Sequence, residues 1–163
     1  MSEYAAYRAA GQAIVGLSRS IPFEHASADG IEITWLAMET DDHIIAAAAW
    51  LAGIAAVNAR RFGKPLPSVP GAVVHEQFNE GQIEDLAKSR MLLERFVEAD
   101  EAYVDAVLFD GWQQAKDFAR KNWPAIEAVA LAIQGQGRLD FAEVKEIAER
   151  VGWAAEPEEV RQP

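Results

Sequence analysis

Residues 3–17 are rich in alanine, with Tyr4, Tyr7, Ile14 and Val15 interspersed and Gly16 and Ser18 at the end, a pattern that predicts an N-terminal helix. Residues 21–28 and 31–36 flank Asp29-Gly30, and the second of these runs alternates apolar and polar positions. Asp-Gly tolerates positive φ at both turn positions, so this stretch predicts a small β-hairpin. Thr40-Asp41-Asp42 then supplies a cap and negative charge at the head of a long apolar helix from His43 to about Phe62. Three prolines and two glycines in residues 63–71 predict a loop. Further helices are expected at about residues 83–98, 101–120, 123–134 and 141–151. In the third of these Trp123, Ile126, Ala130 and Ile133 step by 3, 4 and 3 and form one apolar stripe. Asn122 is placed to cap that helix, with Pro124 in its first turn. Asp140 and Glu143 have the spacing of a capping box on the last helix.

The architecture this predicts is mainly α with a small β-hairpin, in one domain over residues 1–153. The proline- and glutamate-rich residues 154–163 read as a flexible C-terminal tail. The 163-residue chain is 50% apolar, enough for a real core. Its longest apolar run, residues 44–57, is shorter than the roughly 18 to 20 residues a membrane-spanning helix needs, so no membrane span is expected. Lys and Arg number 15 against 26 Asp and Glu, a net charge of −11 with no basic cluster, which argues against nucleic acid as a partner. The chain has no cysteine, hence no disulfide and no thiolate ligand or nucleophile. Together with a start that lacks a basic, apolar leader, this makes the cytoplasm the expected location.

Candidate chemistry is sparse. His25, His43 and His75 lack a second histidine or carboxylate at ligand spacing, and His75-Glu76 opens like H-E-x-x-H but meets Asn79 where the second histidine belongs. Gly11, Gly16 and Ser18 have the glycine spacing of a phosphate loop, but Leu17 occupies the position of its lysine. No serine sits in a nucleophile-elbow pattern. Trp35, Trp50, Trp112, Trp123 and Trp153 lie among apolar neighbours and read as packing residues, and the acidic excess reads as a solvated surface.

Residues 6–16, Ala-Tyr-Arg-Ala-Ala-Gly-Gln-Ala-Ile-Val-Gly, resemble the zinc-binding helix of the peptidase domain of FtsH-type ATP-dependent zinc metalloproteases, whose pattern is A-Y-H-E-A-G-H-A-V-V-G. Ala6, Tyr7, Ala10, Gly11, Ala13, Val15 and Gly16 match. Arg8 and Gln12 stand in place of the two zinc histidines, and Ala9 in place of the catalytic glutamate. Further on, residues 51–56 (Leu-Ala-Gly-Ile-Ala-Ala) are similar to the family's L-x-G-R-A-A-E without its Arg and Glu. Residues 81–86 parallel G-A-x-x-D-L, which places Asp85 on the third zinc ligand. Residues 112–147 resemble the family's last helices, so the likeness runs from about Tyr4 to Gly152, without the ATPase module or membrane anchor of full-length members.

The resemblance implies a helical metallopeptidase scaffold whose chemistry is gone. A catalytic zinc needs three protein ligands and an open position, plus a base for its water. Arg8 stays protonated and repels a dication, Gln12 is a weak neutral ligand, and Ala9 offers no base. The expectation is therefore no cofactor, no zinc, and a remnant pseudo-active site of Arg8, Ala9, Gln12 and Asp85. Its expected role is that of an inactive binding or oligomerisation module for a protein or peptide partner or a second copy of itself. Two alternatives are a hydrolase that uses Glu84, Asp85 and His75 at the same cleft, and a regulatory partner of an active ATP-dependent protease.

Overall fold

The computed structural model describes residues 3–28, 43–61, 86, 87, 89–91, 94 and 101–155. The elements are α1 (Glu3–Ser18), β1 (His25–Ser27), α2 (His43–Arg61), α3 (Glu101–Lys121), α4 (Trp123–Gln136), β2 (Arg138–Asp140) and α5 (Phe141–Arg150). Residues 86, 87, 89–91 and 94 are also helical, inside the helix expected at 83–98. The fold is mainly helical with one small two-stranded antiparallel β element. No described helix is long and apolar enough to cross a membrane.

Helix α1 is the axis of the structure. Its residues 6–17 are all buried, because it packs against α2, α4, α5 and β1 on different sides. An alanine-rich sequence suits that position: side chains no longer than a methyl let several helices approach one central helix. The closest approach is to α2, which runs antiparallel to it. A Cβ on Gly11 would lie 2.6 Å from the carbonyl oxygen of Ala52 and 2.9 Å from Cβ of Ala56, and one on Gly53 would lie 3.1 Å from the carbonyl oxygen of Arg8. The two glycines thus let each backbone rest on the other, close enough for Cα–H···O contacts. At the far end of this pair Arg60 Nε donates to Glu3 at 2.6 Å, and its guanidinium lies 5.5 Å from the centre of the Tyr7 ring. Tyr7 in turn stacks on Trp123 of α4, with ring centroids 5.6 Å apart.

The apolar stripe expected on α4 is the face that meets α1, with Ile126, Ala130 and Ile133 fully buried and Val129 added to it. Asp140 caps α5 as its spacing predicts: its carboxylate accepts from the Glu143 N–H, and the Glu143 carboxylate accepts from the Asp140 N–H, each at 2.8 Å. Asn122 departs from expectation. Its carboxamide turns back to donate to the Phe118 carbonyl at 2.9 Å and makes no side-chain cap on α4, while Pro124 does occupy the first turn. With only Asn122 between α3 and α4, the last carbonyls of α3 are closer partners for that amide than the N–H groups of the next helix. Helix α4 closes at Gly137, whose φ of 81° is the left-handed conformation glycine adopts without a Cβ penalty.

The β element joins distant parts of the chain. His25, Ala26 and Ser27 pair with Asp140, Leu139 and Arg138. Leu139 and Ala26 point into the core, and Phe23 just before β1 meets Phe141 edge-on at 5.0 Å. The ribbon therefore ties the exit of α1 to the start of α5. The turn at Asp29-Gly30, the loop at 63–71 and the tail beyond residue 155 lie outside the described residues.

Candidate functional site

Arg8 and Gln12 lie four residues apart on α1, which puts their side chains on one face a single turn apart. That face is inside the protein: Arg8 is 4% exposed, Gln12 1% and Ala9 0%. Two long polar side chains at successive turns of a central helix are unusual, since such groups are seldom fully buried. Arg8 is engaged through at least one polar, ring or electrostatic contact. Gln12 is in the opposite condition: among the described residues neither its Nε2 nor its Oε1 has a hydrogen-bond partner.

Gly53 accounts for the way Gln12 is held. A Cβ there would come within 3.0 Å of Gln12 Nε2 and 3.1 Å of its Cγ, so the amide occupies the notch that this glycine leaves in α2. An amide sealed there without partners is costly, about 1–3 kcal/mol for the unmet groups. Methionine has nearly the same shape and helix propensity and no amide to satisfy. Gln12→Met is therefore expected to stabilise the protein by about 1–2 kcal/mol, seen as a Tm higher by about 2–8 °C in a thermal melt. A lower Tm would show that the amide is paired in solution.

Among the expected site residues, the structure brings Arg8, Ala9 and Gln12 together. Asp85 lies outside the described residues, as do Glu84 and His75. Its neighbour Leu86 is described, half-buried against the same hydrophobic core that holds the inward residues of α1. Of the other histidines, His43 is the first residue of α2, and His25 lies on β1 with its Nδ1 buried and without a hydrogen-bond partner among the described residues. Among the described residues no three His, Asp or Glu side chains are grouped to hold a metal ion. Gly11, Gly16 and Ser18 lie within α1, so their spacing is that of a helix rather than a phosphate-cradling loop.

Three further polar residues that no sequence motif marks are also buried: Asn58 on α2, Ser89, and Lys116 on α3. Lys116 is 8% exposed, with its ammonium 5.5 Å from the centre of the Trp112 ring. It is the third residue of a row, Leu108, Trp112 and Lys116, spaced by four, and that spacing was the available signal. On the same helix Gln113 has both amide atoms buried and without a hydrogen-bond partner among the described residues. Tyr7, one residue before Arg8, has its phenol pushed above the ordinary value by burial, an effect that the Arg60 guanidinium partly offsets. Its phenol is thus held neutral, with Trp123 stacked against the ring.

Zinc does not fit the three residues described. A guanidinium and a neutral carboxamide replace imidazole donors, and Ala9 carries no carboxylate to activate water. No protein-family model matches the chain, and no curated protein matches it.

Proposed function

We propose that this chain is a catalytically inactive relative of the FtsH-type zinc metallopeptidase domain, acting in the cytoplasm as a binding or oligomerisation module for a protein or peptide partner. The observation that carries the reading is the burial of Arg8 and Gln12 on adjacent turns of the central helix, at the two positions where the resemblance has zinc histidines. Inward-facing polar side chains at those two positions are what a former metal site leaves behind when its ligands are exchanged. A surface helix with chance similarity to the motif would have put them in water. The absence of cysteine suits the reducing compartment.

In this reading the Arg8 guanidinium supplies the positive charge that a metal once supplied, and Asp85 is its partner. A carboxylate left buried without a cation would cost several kcal/mol, about 3–5. A guanidinium meets it with two parallel N–H donors. Gln12 lines the same place. With a guanidinium and a carboxamide in place of imidazole ligands and Ala9 in place of the catalytic glutamate, the reading gives the site no means of hydrolysing a peptide bond.

The test is elemental analysis of the purified protein together with an assay on an unfolded protein substrate. The expected result is zinc well below one atom per chain after dialysis and no cleavage. About one zinc per chain, retained through dialysis, or cleavage abolished by Asp85→Asn, would return the protein to the enzymes.

A further inference from the structure

We draw no further inference here: the strongest candidate, the outward face of α4 where Leu131 stands 57% exposed in line with Ala128 and Gly135, is an unpartnered apolar surface, and nothing in the structure shows what covers it.

Discussion

Gly11→Ala is expected to destabilise the protein by about 3 kcal/mol, at the upper end of what overpacking costs. The new methyl would lie 2.6 Å from the Ala52 carbonyl oxygen and 2.9 Å from Cβ of Ala56, and neither obstacle is the tip of a flexible side chain. Relief therefore requires α1 and α2 to separate, which opens the contact that buries Arg8 and Gln12. The opposite substitution serves as control. Gly135 near the end of α4 has nothing within 4 Å of a built Cβ, and alanine there should stabilise by about 0.5–1 kcal/mol through helix propensity alone. Denaturant midpoints of the two variants should move in opposite directions. Equal and small shifts would mean that the two helices are further apart in solution than the glycine contacts require.

The second large effect concerns Arg8. Arg8→Met should destabilise by about 3–5 kcal/mol if it strands a buried carboxylate, and Asp85→Leu should do the same by stranding the guanidinium. The double variant replaces both charges with apolar groups, so it should recover much of the loss. The interaction term from the cycle should be about 2 kcal/mol or more. Additivity to within about 0.5 kcal/mol would assign Arg8 to a different partner and remove the ion pair from the account. Arg8→Lys separates charge from geometry: an ammonium keeps the positive charge but loses the two-pronged donor, so it should recover only part of the stability.

Much of the helical architecture is legible in the sequence because its signals are local. Helices α1, α2 and α3 lie where alanine content and periodicity predict them, and Asp140 with Glu143 forms the reciprocal cap its spacing announces. The features that escape are set by distant parts of the chain. Arg138, Leu139 and Asp140 alternate polar and apolar, but three residues are too short a run to signal a strand, and they become β2 because β1 from the other end of the chain lies beside them. Asn122 has the composition of a cap, but a connection of a single residue leaves it nearer the carbonyls behind than the N–H groups ahead.

The site shows the same division. Arg8, Ala9 and Gln12 stand out in the sequence only by resemblance, because a polar residue in an alanine-rich helix ordinarily marks the solvent side. Their burial follows from α1 being enclosed by α2, α4, α5 and β1, a fact of assembly that no window of α1 contains. Lys116 escapes for a related reason: its long stem follows the apolar row of Leu108 and Trp112, and only the packed structure shows that its ammonium goes with it.

The most direct measurement restores the ligands that the resemblance says were lost. Arg8→His with Gln12→His rebuilds two imidazoles four residues apart on one helix face, with Asp85 as the third donor, while Ala9, fully buried, is left unchanged so that no carboxylate is forced into the core. Zinc bound by this variant is read by elemental analysis after dialysis, with circular dichroism confirming that the helices remain. About one zinc per chain is expected in the double variant, and none when Asp85→Ala is added. A folded double variant that binds no zinc would contradict this reading, since the two helix positions and Asp85 would then not share the geometry of a metal site.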